Sequence, residues 1–368
     1  MRIVKADLSD NDRLCEFFNQ TILPGHVDLR LEREDFFLPY RLQSDDHATY
    51  LLLNQEEQVE AMATLVFRPG YLGGQRQTIG YATDLRVSNS RRAILSWAEH
   101  FLPVLEAEKS ARQCNSVFTV VAQLQRQAYN AFIRPRLTRR PLPRYHLFRS
   151  FRMVSVHGIM PWAAKPLSTI FLRQGTDSDL EMIASYLAGR HRRGVLHFTS
   201  DIEEVLQSLK RWPGLRPSDF ILALDFHRRL VGCVAPWDSD HLQKTFAVNY
   251  HRRAKVLYDS LQALALFRLG KRLPKAGRAV HFSYLTHFCA DNPDIFYSLL
   301  HAGFRTSPNQ FVIYPHFEGD LPFTPPRGMI TASLRAGLYC IQDPNQLSPD
   351  FLNWSRRATP PEFELPFL

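Results

Sequence analysis

Two segments of this chain, Val87-Ser-Asn-Ser-Arg91-Arg92-Ala93 and Val248-Asn-Tyr-His-Arg252-Arg253-Ala254, carry one pattern 161 residues apart. Each closes an apolar, strand-like run and opens an amphipathic helix. A pattern recurring at that distance is most economically read as two copies of one α/β unit. Where a strand feeds a helix, the first turn presents unpaired backbone N–H groups and the positive end of the helix dipole, and neighbouring arginines add guanidinium forks. Each copy therefore offers a place for a phosphate or another anion. Val87, Arg91, Arg92 and Ala93 form the first candidate site, and Val248, Arg252 and Arg253 the second.

A chain of 368 residues with 45% hydrophobic content is long enough for two domains of ordinary size. No apolar run approaches the ~20 residues of a membrane span, and Met1-Arg-Ile-Val-Lys-Ala-Asp7 reads as a strand before a polar helix start, not as a secretory leader. The expectation is a soluble cytoplasmic protein. The cysteines, Cys15, Cys114, Cys233, Cys289 and Cys340, are scattered and never in Cys-x-x-Cys spacing, so neither a disulfide framework nor a metal site is expected.

Charge is concentrated in one stretch. From Lys109 to Thr176 there are twelve basic residues and no Asp or Glu, so the formal net charge of +9 comes from this segment. Its centre, Arg134 to Arg152, interleaves arginines with Tyr145, Phe148 and Phe151. Nucleic acid, a phosphorylated cofactor and an acidic carrier protein all suit such a block; the alternative is a solvated basic face.

Periodicity and turn chemistry give the first copy the order β-α-β-β-β-α-β-α. Strands are expected at 2–6, 49–53, 59–67, 78–87 and 116–122, and helices at 9–22, 91–109 and 125–133. The stretch 28–47 reads as irregular. In the second copy, strands are expected at 169–173, 220–225, 229–235, 242–248 and 279–288, with helices at 177–187, 202–210, 254–269 and 293–301. The expected division is an N-terminal domain over 1–157, a C-terminal domain over 167–314, and an extended, proline-rich tail over 315–368 that packs on a domain.

This order, with a Val-x-x-x-[basic] strand end before a helix, resembles the GNAT acyltransferase superfamily over about residues 1–315. In that family the fourth strand ends in a pyrophosphate-binding loop, Val-x-x-x-x-Arg-Gly-x-Gly, and a later helix, Asn-x-x-Ala-x-x-x-Tyr-x-x-x-Gly-Phe, carries the general acid. Asn292 is followed at the family spacing by Gly303 and Phe304, with Ile295 for Ala and Leu299 for Tyr; in the first copy Gln125, Ala128 and Phe132 take the Asn, Ala and Tyr positions. Arg92 is followed by Ala-Ile and Arg253 by Ala-Lys where Gly-x-Gly is expected, and a side chain there blocks close backbone approach to a phosphate. The resemblance implies a mixed-sheet α/β fold in tandem, with acyl-CoA or a phosphopantetheine-linked acyl carrier protein as donor and an amine as acceptor. It also makes Gln125 and Asn292 cofactor-binding candidates.

Acylating an amine calls for a base at the nitrogen and donors for the thioester oxyanion. Asp84 lies in the mostly apolar run Gly80-Tyr-Ala-Thr-Asp-Leu-Arg-Val87, where partial desolvation would raise its pKa into a useful range; a structural partner for Arg86 is the other reading. The matching position of the second copy is Thr245, and the nearest acids there are Asp238 and Asp240. Tyr129 and Tyr297 are the nearest tyrosines to the family's acid, and Asp84 with Tyr129 form the catalytic pair expected. Along 279–288, His281 and His287 share one face of a strand. Two functions follow: an N-acyltransferase of tandem architecture, or a silent member of the fold that binds nucleic acid or an acidic partner through Arg134–Arg152.

Overall fold

A computed structural model describes residues 1–122, 143–307, 310–319, 323–344, 349–353 and 359–367. The N-terminal half runs β1 (Arg2–Lys5), α1 (Asn11–Gln20), β2 (Ile22–Leu23), β3 (Val27–Glu32), α2 (Leu38–Gln43), β4 (His47–Leu53), β5 (Val59–Leu72), β6 (Gln75–Val87), α3 (Arg91–Ala111), β7 (Ser116–Ala122) and β8 (Arg144–Ile159). The C-terminal half runs β9 (Phe171–Gln174), α4 (Leu180–His191), β10 (Leu196–His197), α5 (Ile202–Lys210), β11 (Ile221–Leu224), β12 (Leu230–Asp238), β13 (Lys244–Tyr250) and α6 (Arg252–Leu266). It finishes with β14 (Arg278–Ala279), β15 (Phe282–Ala290), α7 (Pro293–Thr306), β16 (Phe311–Phe317) and β17 (Met329–Gln342).

Most strands join one mixed sheet in the order β1-β4-β5-β6-β7-β17-β8-β16-β15-β12-β11-β9, with β10 added beside β5. The order is symmetric about its middle. β1, β4, β5, β6 and β7 on one side match β9, β11, β12, β15 and β16 on the other, and β8 and β17 lie between them. Each half lends a strand across the centre: β8 pairs with β16, and β17 pairs with β7.

Local sequence explains the covering helices. Ser90 caps α3 by accepting from the Ala93 N–H, and Ala93, Trp97, Phe101 and Leu105 then recur every fourth residue, all buried against β5 and β6. Each large apolar side chain so buried contributes about 1.5–3 kcal/mol. Asn292 caps α7 in the same way through the Ile295 N–H, and Ile295, Phe296, Leu299 and Leu300 pack on the C-terminal half of the sheet. Residues Ala61–Phe67 of β5 are all buried, because this strand is covered on both faces.

The duplication is present, but its phase differs from the one read off the arginine pattern. β13, with Val248, is not the counterpart of β6. It belongs to a second, four-stranded sheet, β14-β13-β3-β2, in which the C-terminal half pairs with the N-terminal half through Lys244↔Glu32 to Tyr250↔Val27. The strand equivalent to β6 is β15, and the equivalent residues are 203 positions apart, as Tyr81 and Tyr284 are. The stretch expected to be irregular holds β3 and α2.

The expected boundary at 157 falls inside β8, and β16 and β17 occupy much of the expected tail. Residues 359–367 are the last described. There the Phe363 ring meets Phe151 at 4.9 Å and Phe317 at 5.3 Å, and Phe367 meets Trp212 at 4.7 Å. Among the described residues no helix is long and apolar enough to cross a membrane.

Candidate active site

Strands β6 and β7 run parallel but pair over only three positions, Ile79↔Ser116, Gly80↔Val117 and Tyr81↔Phe118. Beyond them β6 continues with β5 while β7 continues with β17, so the two part company. The glycine at Gly80 permits the close approach, since a Cβ there would lie 2.8 Å from Val117 Cγ2. The divergence coincides with a bulge at Asp84, where the register against β5 shifts and φ is 51°. Asp is among the few residue types that accept this left-handed conformation, and bulges redirect strands in this way.

The C-terminal half repeats the device. β15 and β16 pair at Phe282↔Phe311, Ser283↔Val312 and Tyr284↔Ile313, and a bulge follows with His287 at φ 50°. Tyr81-Ala-Thr-Asp84 and Tyr284-Leu-Thr-His287 are thus the true repeat, and that pair of tetrapeptides was the sequence signal available for it. Asp84 corresponds to His287 and not to Thr245, which sits in the second sheet.

The two bulges have opposite electrostatics. Asp84 is buried and accepts from Tyr40 Oη at 2.6 Å and Arg33 Nη1 at 2.8 Å, with Arg86 Nη2 at 3.7 Å. Burial alone would push its carboxyl up. The Arg33 and then the Arg86 charge, with the hydrogen bonds from Tyr40 and Arg33, more than offset this and hold it below the usual carboxylate range. The expectation of a raised pKa is therefore corrected.

Arg86 was read as a structural partner of Asp84, but Arg33 and Tyr40 were not read as site residues, because they reach Asp84 from a stretch that looked irregular. The Phe18 ring lies under both guanidinium groups, at 4.4 Å for Arg33 and 4.7 Å for Arg86. Arg33 also bonds Gln243 at 3.1 Å, which ties the cluster to the C-terminal half. Burial and the Asp84 charge push the Tyr81 hydroxyl well above the phenol range. His287, by contrast, is enclosed by Trp212 and Phe220, and burial brings its pKa down to about 3.

The helix starts after the two bulged strands also differ. At α3, Arg91 and Arg92 are exposed and make no ion pair among the described residues. Ser88 anchors the loop through its N–H to Glu60 O and its hydroxyl to the Glu60 carboxylate. Ala93, where the family has glycine, is buried in the core, so its methyl does not face the loop's open side.

At α7, Asn292 caps the helix, Pro293 removes an N–H, and Asp294 adds negative charge. Asp291 beside them accepts from Tyr186 and Arg190. An anion is favoured at the first helix start and repelled at the second.

The remaining candidates divide accordingly. Asn292 caps the helix after the bulged strand and does not belong to a helix after the fifth strand. Arg252 and Arg253 open α6, which follows the second sheet, so the repeat no longer relates them to Arg91 and Arg92. Gln125 and Tyr129 lie outside the described residues. Tyr297 donates to Ala164 O. Asp240 pairs with His281 at 2.6 Å, and Asp238 accepts from Gln310 at 3.0 Å.

The described part of the basic segment is not one open patch. Arg144–Arg152 lie in β8, paired along the stretch with β17 and, at Phe151 and Arg152, with β16 as well, and Arg149 is buried. Lys109, Arg112 and Arg173 pair with Glu106, Asp46 and Asp179. Arg134, Arg136, Arg139 and Arg140 are outside the described residues.

No protein-family model matches the chain, and no curated protein matches its sequence. Solved structures do match in fold. The N-myristoyltransferase of Saccharomyces cerevisiae with bound myristoyl-CoA superposes with a TM-score of 0.53 at 10% identity, over 97% of this chain and 89% of that one. A GCN5-related glucosamine N-acetyltransferase region of a fungal multi-domain GH3 β-N-acetylglucosaminidase gives 0.52 at 10% identity, over 92% of this chain and 38% of that one. With the symmetric sheet and the two splayed strand pairs, the chain has the GNAT superfamily fold in tandem.

Proposed function

We propose that this protein is an N-acyltransferase whose N-terminal half takes an acyl group from a coenzyme A or phosphopantetheine thioester and passes it to an amine, the C-terminal half being silent. The observation that carries this reading is the asymmetry of the two splays. One has an open, arginine-bearing helix start beside an ion-paired cluster; the other has proline, two acids and a neutral, enclosed histidine. In the first, the α3 N–H groups with Arg91 and Arg92 would hold the donor phosphates. The unpaired backbone edges of β6 and β7 would receive the pantetheine arm, and the backbone at the bulge would orient the thioester carbonyl.

In the reaction the amine nitrogen bonds to the acyl carbon, the carbon–sulfur bond breaks, and the nitrogen's proton leaves as the thiolate is released. A carboxylate held low by two arginines is a poor proton acceptor at neutral pH. Asp84 is therefore assigned to holding the kink and the orientation of Arg33 and Tyr40, not to removing that proton. The test is turnover. Incubation with acyl-CoA thioesters of increasing chain length and a panel of amines, followed by free-thiol release and by mass of the amide, is expected to give amine-dependent thiol release. Absence of thiol release with every chain length and amine would reject the assignment.

A further inference from the structure

We propose that α6 and the loop after it form a docking surface for an anionic phospholipid membrane. Only Leu261 of this helix is buried, so α6 stands on the surface as a ridge. Its outward side carries Val256, 67% exposed, and Leu266, 70% exposed, and Phe267 follows at 73%. Exposed apolar side chains are ordinary singly, but here three large ones lie on one helix and its cap.

Basic residues flank them. Arg252 and Arg253 stand at the start of the ridge and Arg268, Arg272, Lys275 and Arg278 beyond its end, all exposed and without an ion pair among the described residues. Asp259 is the one acidic residue between His251 and Arg278, and Lys255 pairs with it at 3.0 Å.

An apolar ridge between cationic groups suits a lipid headgroup layer, where side chains enter the acyl boundary and arginines meet phosphates. Nucleic acid would satisfy the arginines but leave Val256 and Leu266 in water. A folded acidic partner would need a groove shaped to the ridge. The surface is separate from the splay of β6 and β7, so the inference stands independently of the acyltransferase assignment.

Co-sedimentation tests it, using the full chain with vesicles of phosphatidylcholine alone or mixed with phosphatidylserine at physiological salt. The protein is expected to partition onto the mixed vesicles and not onto the neutral ones. Leu266→Glu with Phe267→Glu should lower that partitioning about tenfold or more, because both side chains are already in water in the free protein and the change leaves its fold alone. Arg268→Glu with Arg272→Glu should abolish the preference for the anionic lipid. No binding to mixed vesicles, equal binding to both kinds, or binding to single-stranded RNA that survives the Leu266 and Phe267 changes would overturn the proposal.

Discussion

The two bulged strands start from one design and end in different chemistry. At Asp84 the left-handed residue is ionised, with two arginines and a tyrosine around it. At His287 it is neutral and packed between aromatic rings. The backbone requirement is the same in both, and Asp and His each tolerate it. What differs is what surrounds the bulge. Duplication preserved the kink that opens the sheet, while the neighbouring side chains decided whether the opening is electrostatically prepared or filled.

The comparison breaks first on stability. Asp84→Asn keeps the backbone preference but leaves Arg33 and Arg86 without their counter-charge in a buried setting, which should cost about 3–5 kcal/mol. His287→Asn should cost about 2 kcal/mol, from the void left beside Trp212. Denaturant unfolding of the two variants should place them in that order; equal losses would mean that the charge cluster adds nothing that packing does not.

A second effect separates them by pH. Burial brings His287 down to about 3 and His157 to about 4, so the unfolded chain binds protons first as pH falls below its ordinary histidine value of about 6.5. Their contribution is therefore full above that value and is lost as pH falls toward 4, by about 1.4 kcal/mol per pH unit for each histidine. Unfolding free energy measured between those limits should decline less steeply in His287→Asn than in the parent. An unchanged slope would show that His287 is protonated in the folded protein.

Much of the secondary structure was legible. The strand Ser116–Ala122 and the helix Ile202–Lys210 lie where apolar runs and caps put them. The repeat was legible too, but through the wrong residues. Arg-Arg-Ala after a polar loop is helix-start chemistry, which recurs wherever an exposed helix begins, whereas Tyr-x-Thr-[Asp/His] is tied to the kink and fixes the phase.

β8, β16 and β17 were missed for physical reasons. Arginines on β8 read as a basic surface, although the neighbouring Phe148, Phe151, Val154 and Val156 are buried, and prolines near β16 and β17 hid two strands that lie in the middle of the sheet. The Asp84 cluster was half legible. Its carboxylate stood out, but Arg33 and Tyr40 are brought to it only by the fold.

The central claim, one prepared anion site in the N-terminal half, is tested most directly by calorimetric titration of coenzyme A into the parent, Arg91→Ala/Arg92→Ala and Arg252→Ala/Arg253→Ala proteins. The account predicts a single site per chain, weakened about tenfold or more by the first pair of changes, since charge-assisted hydrogen bonds to phosphate are lost, and unaltered by the second. Two sites per chain, or equal losses in the two double variants, would contradict it.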